Sequence, residues 1–256
     1  MKKHVDRIKE CFGSNWSKAV CALLAALMFA VVNVPAVISA SGTARQLPIY
    51  CVQRDQKVVS ISFDAAWGNE DTGQLIEILG KYQIPATFFV VGEWVDKYPQ
   101  SVKQLHEAGH EIQNHSNTHA HYPQLSAGEV VADLNTCNDK IEGVTGVRPT
   151  LVRLPYGDYD DMSINAVRSI GMEPIQWDVD SLDWKDLSAG EITKRVTTKV
   201  GPGSIVLFHN AAKHTPEALP DIIETLLRDG YTFVPISQII LKGDYTIDHT
   251  GRQCPA

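Results

Sequence analysis

The sequence predicts an α/β fold, a distorted (β/α) barrel of about seven parallel strands preceded by an N-terminal hydrophobic helix. Three observations carry that expectation. Short β-branched and aromatic runs alternate with stretches of helical periodicity across residues 57–241. Strand then helix, repeated in one order, implies parallel strands joined by right-handed crossovers, and at this count a closed or nearly closed barrel is favoured over an open doubly wound sheet. No Gly-rich phosphate loop follows any strand, which weighs against a nucleotide-binding sheet.

Four segments divide the 256 residues. Residues 1–44 hold a basic stretch (Lys2, Lys3, Arg7, Lys9, Lys18) and then, from 19 to 44, no charged residue at all. The run at 20–32 is nearly all apolar and long enough, with its flanks, to span a bilayer, and the basic side stays in the cytoplasm by the positive-inside rule. We therefore expect a signal or anchor helix that binds the membrane and sends the remainder out of the cytoplasm. Small-residue cleavage sites end at Ala40 and Ala44, and the reading leans towards an uncleaved anchor. Residues 45–56 read as a linker, 57–241 as the barrel, and 242–256, polar and without periodicity, as a tail. A net charge of −7 with scattered basic residues gives no footprint for nucleic acid, and nothing calls for a second copy, so a monomer is expected. The cysteines (Cys11, Cys21, Cys51, Cys137, Cys254) show no CxxC spacing; Cys51 and Cys254 lie near the two ends of the exported part, but nothing in the sequence pairs them.

Within the barrel segment, 57–63 is a buried strand ending at Asp64, followed by a helix over 71–82. A second strand at 86–91 leads to a helix at 99–108 closed by Gly109. A short strand at 111–114 delivers His115. The helix at 127–145 opens on a capping box, Ser126 with Glu129, and ends before Gly146-Val147-Arg148-Pro149. A strand at 151–153 stops at Pro155 and Gly157, and a helix follows over 162–170. Extended chain at 173–177, a helix at 188–200 with Glu191 completing its capping box, a strand at 204–208, a helix at 216–229 and a strand at 232–234 finish the series.

The polar residues fall where these strands end. Asp64, His115, Arg153, Asp180, Asp183 and His209 each end or closely follow an apolar strand, and parallel barrels build their sites at the C-terminal strand ends. In Asn114-His115-Ser116-Asn117-Thr118-His119 two imidazoles four residues apart face one way if the chain turns helically after His115, which is metal-ligand spacing. Taken singly, Arg153 also reads as a structural ion pair, Trp184 as core, Asp180 or Asp183 as a helix cap and His121 as a solvated side chain. Trp67 reads equally as packing or as a surface for a sugar face.

Five motifs, Ser62-Phe63-Asp64, His115-Ser116-Asn117-Thr118-His119, Arg153-Leu154-Pro155-Tyr156-Gly157, Asp180-Ser181-Leu182-Asp183-Trp184 and Leu207-Phe208-His209-Asn210, resemble in order and spacing those of the polysaccharide deacetylases, the NodB-homology or carbohydrate esterase family 4 fold. The wording Phe63-Asp64-Ala65-Ala66-Trp67-Gly68-Asn69-Glu70-Asp71-Thr72 is similar to a sporulation-associated branch of that family.

The resemblance implies metal-assisted hydrolysis of N-acetyl groups on a glycan such as peptidoglycan. It casts Asp64 as general base, His209 as general acid, and Arg153 and Asp183 as their respective partners. His115 and His119 are implied ligands of a divalent metal, zinc above all. Tyr156 is implied to offer a backbone N–H to the oxyanion, with Trp184 and Leu207 forming the acetyl pocket. One position departs. Where metal-dependent members carry a second, metal-binding aspartate, this chain has Ala65, so the metal site is expected to be weakened unless Asp71 or Glu70 substitutes. The alternative is a carbohydrate-binding relative of little or no activity.

Overall fold

The computed structural model describes residues 45–256; the apolar N-terminal stretch expected to form an anchor lies outside the described residues. Among the described residues, no helix is long and apolar enough to cross a membrane.

The strands are β1 (Cys51–Val52), β2 (Val58–Ala65), β3 (Thr87–Val90), β4 (Glu111–Asn114), β5 (Leu151–Val152), β6 (Glu173–Pro174), β7 (Val179–Asp180), β8 (Ser204–His209), β9 (Thr232–Phe233), β10 (Tyr245–Ile247) and β11 (Arg252–Pro255). They form one sheet in the order β10-β11-β1-β8-β2-β3-β4-β5-β6, with β7 on β8 and β9 on β2. The run from β8 to β6 is parallel throughout, as the alternation predicts. The expectation of an all-parallel barrel needs correction: β1 meets β8 antiparallel, β10 meets β11 antiparallel, and the result is a half-barrel of mixed strands. A single bridge, Ile49 to Ile175, links the segment before β1 to the far edge beyond β6.

The helices are α1 (Thr72–Lys81), α2 (Gly92–Lys97), α3 (Pro99–Glu107), α4 (Ala127–Thr145), α5 (Asp161–Ser169), α6 (Ala189–Thr197), α7 (Thr215–Arg228) and α8 (Ile236–Ile239). Both expected capping boxes are formed: the Ser126 and Ser188 hydroxyls accept from the N–H groups of Glu129 and Glu191, whose carboxylates reach back. Gly146 takes the left-handed conformation that closes α4 at φ +75°. Helix α2 has no signal in the sequence and follows β3 with a single residue between them.

Two further assignments change. The supposed linker 45–56 contributes β1, and the supposed tail 242–256 contributes β10 and β11, with β11 pairing in parallel with β1. In that register Cys51 faces Arg252, two residues short of Cys254, and both cysteines are free thiols. Adjacent parallel strands offset by two residues hold sulfur atoms too far apart for a disulfide.

Beneath the helices, the core is centred on Phe63 of β2, stacked on Phe88 of β3 at 4.8 Å and on Phe208 of β8 at 5.5 Å. Side chains alternate along a strand, so burying Phe63 in the helix layer turns Asp64 to the opposite face of the sheet. Each such aromatic stabilises the fold by about 1.5–3 kcal/mol through burial. That packing fixes the register from which the polar strand ends emerge.

Candidate active site

Asp64 of β2 and His209 of β8 are register partners, and His115 follows β4 while Arg153 follows β5. All come from the C-terminal ends of parallel strands. They meet at a cavity of about 400 Å³ lined by Asp64, His115, His119, Tyr156, Trp184, Leu207 and His209, with Trp67, Gly157, Trp177 and Asp180 completing the wall. Of the residues expected in the site, Arg153 and Asp183 stand behind this lining, each paired to a residue that does face the cavity.

Arg153 is fully buried. Its Nη1 donates to Asp64 Oδ1 at 2.8 Å, its Nη2 to the Gln176 carbonyl at 3.1 Å, and its guanidinium lies 4.3 Å from the Phe89 ring centre. Burial works against the Asp64 carboxylate, but Arg153 foremost, then His115 and His209, outweigh it and hold the carboxyl below its usual range. Asp64 is therefore an anion at neutral pH.

Asp183 is gripped from four sides. Its Oδ1 meets His209 Nδ1 at 2.7 Å and accepts the Trp184 N–H at 2.9 Å; its Oδ2 accepts the His209 N–H at 2.8 Å and the Thr215 hydroxyl at 2.7 Å. Burial alone would lower the His209 pKa, yet the hydrogen bond and charge of Asp183 prevail and raise it above the ordinary imidazole value. Leu182, just before Asp183, takes a left-handed φ of 54°, and its N–H is held by Asp180 Oδ1 at 2.8 Å.

The histidine loop does not take the helical turn under which the spacing would bring both imidazoles to one side. Ser116 and His119 both adopt left-handed φ values, 69° and 56°, a conformation costing non-glycine residues roughly 1–2 kcal/mol. A hydrogen-bond network offsets that cost. Asn114 Oδ1 accepts the Ser116 N–H, the Ser116 hydroxyl oxygen accepts the His119 N–H, and Asp133 of α4 accepts from the Asn117 N–H, the Thr118 hydroxyl and the Tyr122 hydroxyl. The two rings nevertheless meet, with centres 4.9 Å apart. Asp133 has no signal in the sequence, because its role exists only once α4 packs beside the loop. The His121 side chain is partly exposed to solvent as expected, and its ring also stacks on Tyr156 at 4.0 Å and meets Asp158 at 3.1 Å.

Whether these residues suit a metal is decided by their donors. His115 Nδ1 is engaged by the Arg153 carbonyl at 2.8 Å, which leaves Nε2 as the ring's donor atom, 3.5 Å from Asp64 Oδ2. Burial lowers the His115 pKa and pushes that of His119 down to about 4, so both rings are in the neutral form that binds metal. The set ends there. Ala65 is buried and carries no donor, and among the described residues no group of three His, Cys, Asp or Glu side chains is placed to hold an ion. Asp71 does not substitute: its Oδ2 accepts the Ala211 N–H at 2.8 Å, and with Glu70 it lines a separate hollow. The residues present fall short of a complete metal site.

Set beside known proteins, this arrangement has clear relatives. A family model described as polysaccharide deacetylase matches residues 52–175. The peptidoglycan-N-acetylmuramic acid deacetylase PdaC of Bacillus subtilis is 37% identical over 188 residues, covering 73% of this chain and 40% of that protein. YlxY of the same organism is 32% identical, covering 75% of this chain and 60% of its own length. The chain thus spans about half the length of these curated relatives. Among solved structures, wild-type BA3943 of Bacillus anthracis, described as a CE4 family pseudoenzyme, superposes with a TM-score of 0.73 at 34% identity, covering 75% of this chain and 68% of that one. A mutant of it is described as having restored enzymatic activity. This chain belongs to the polysaccharide deacetylase family, the NodB-homology fold of carbohydrate esterase family 4.

Proposed function

We propose that this protein removes N-acetyl groups from a cell-wall glycan, peptidoglycan or a related N-acetylated polymer, outside the cytoplasm and held to the membrane by its N-terminal segment. The observation that carries this reading is that Asp64, its pKa held down by buried Arg153, and His209, its pKa raised by buried Asp183, face one cavity. Acetamide hydrolysis needs a base that stays ionised beside an acid that holds its proton, and both shifts run in that direction. Asp64 takes a proton from water as its oxygen attacks the acetyl carbon. His209 gives a proton to the nitrogen as the C–N bond breaks, leaving acetate and a free amine. In this reading the Tyr156 backbone N–H serves the oxyanion and Leu207 with Trp184 receives the acetyl methyl, which is supported by all three residues lining the cavity. The deacetylases among the relatives act on N-acetylmuramic acid or N-acetylglucosamine by name, which supports a cell-wall substrate.

A second reading, a glycan-binding relative of little activity, is favoured by Ala65 and by the likeness to BA3943. Peptidoglycan fragments incubated with the protein and analysed by mass spectrometry separate the two. Free amine on the sugar supports the deacetylase; saturable binding of intact, fully acetylated fragments supports the binder.

A further inference from the structure

Tyr156 holds a backbone conformation that a tyrosine does not favour. Its φ of 61° is left-handed and Gly157 follows with 69°, so the loop after β5 turns through two left-handed residues, of which only the glycine takes that shape freely. Behind it the loop is pressed against Trp177: a Cβ on Gly157 would come within 3.0 Å of that ring. Tyr156 itself is 59% exposed, so burial does little to hold its ring.

The contacts that do hold it come from the histidine loop. The His121 ring lies flat on the Tyr156 ring, with centres 4.0 Å apart and planes 9° from parallel, and its Nδ1 donates to Asp158 Oδ2 at 3.1 Å. His119 meets the same phenol ring edge-on at 4.4 Å. One imidazole thus grips the loop at two points, the Tyr156 ring and the Asp158 carboxylate, with Gly157 between them. The bond to Asp158 fixes the plane of the imidazole, and that plane makes the stack. Neither His121 nor Asp158 lines the cavity.

We propose that His121, oriented by Asp158, is a positioning residue that clamps Tyr156 in its left-handed conformation and so fixes where the Tyr156 N–H points. The inference rests on the deacetylase reading only for the use made of that N–H, binding the oxyanion. A peptide N–H turns with the dihedral angles around it, and a donor serves a developing oxyanion only when it is held in place beforehand. The stack and the hydrogen bond are each of the size of the penalty that a left-handed tyrosine carries, so together they decide which conformation is populated.

Two measurements on the full-length protein test this. Labelling with 15N-tyrosine gives one backbone signal for each of the eight tyrosines, and that of Tyr156 is the one lost in Tyr156→Phe. A left-handed φ brings a residue's amide and α protons close together. The parent and His121→Phe, which keeps the stack, are therefore expected to show a strong intraresidue amide-to-α nuclear Overhauser effect at Tyr156, and His121→Ala a weakened one. In acetate release with added zinc or cobalt, His121→Ala is expected to lose about tenfold in kcat with KM changed by less than about twofold, and His121→Phe to recover most of that loss. A Tyr156 signal in His121→Ala that matches the parent's, or no strong effect in the parent, overturns the clamp. A weakened signal with unchanged kcat in an active enzyme overturns its part in the reaction. Should the parent release no acetate while His121→Ala still weakens the Tyr156 signal, the deacetylase reading fails alone and the clamp stands.

Discussion

Asp64 on β2 and His209 on β8 are register partners in adjacent parallel strands, so the base and the acid leave the sheet side by side. Their protonation states are set by different neighbours, Arg153 for one and Asp183 for the other, which lets each be changed without touching the reacting atoms.

Replacing Asp183 with Asn removes the foremost charge that raises the His209 pKa and leaves burial, which lowers it, opposed by the charges of Asp64 and Asp180. The acid then loses its proton at lower pH, so we expect the alkaline limb of the rate profile to move to lower pH and the acidic limb to stay. Activity measured across pH in both proteins checks this. An unmoved alkaline limb would show that Asp183 does not govern His209.

Arg153→Ala leaves a buried carboxylate unpaired, at a cost of about 3–5 kcal/mol in stability. The Asp64 pKa is depressed in the parent, so its contribution to stability is present above the unfolded value of about 3.9 and lost as pH falls through the folded value. In the variant burial prevails and the pKa rises. Urea unfolding at several pH values is expected to show the parent's acid-dependent loss of stability and little of it in Arg153→Ala. Arg153→Lys restores only part, since one ammonium cannot serve Asp64 and the Gln176 carbonyl in the guanidinium's fork geometry.

At the histidine pair we expect weak zinc binding that disappears in His115→Ala and His119→Ala. Ala65→Asp adds the missing carboxylate and is expected to tighten zinc by tenfold or more, on the order of 1.4 kcal/mol. Asp71→Ala is expected to leave zinc affinity as it is, because that carboxylate lines a hollow separate from the one that holds His115 and His119. Calorimetric titration of the parent and these variants is the check; tight zinc in the parent, lost in Asp71→Ala, would contradict the ligand count.

Much of this site was legible in the sequence because its residues sit at strand ends. A buried apolar run followed at once by Asp64, His115, Arg153 or His209 announces both the strand and the polar residue it delivers. The unread parts depend on partners far away in the chain. Asp133 holds the histidine loop only after α4 has packed, and Asn210 fixes the Trp67 turn across 143 residues. β1, β10 and β11 are two to four residues long, too short for any periodicity to show, and exist by pairing with one another. The loop carrying His119 depends on left-handed serine and histidine, which no helix-spacing argument anticipates.

Most direct is the rate of acetate release from N-acetylated peptidoglycan fragments by the parent, Asp64→Asn, His209→Gln and the double variant, each with added zinc or cobalt. We expect each single substitution to cost about 10²–10⁴-fold, and the double to cost little more than the worse single, because base and acid serve one reaction. Acetate release in Asp64→Asn at the parental rate, or none in the parent under any of these conditions, would contradict the assignment of this cavity as a deacetylase site.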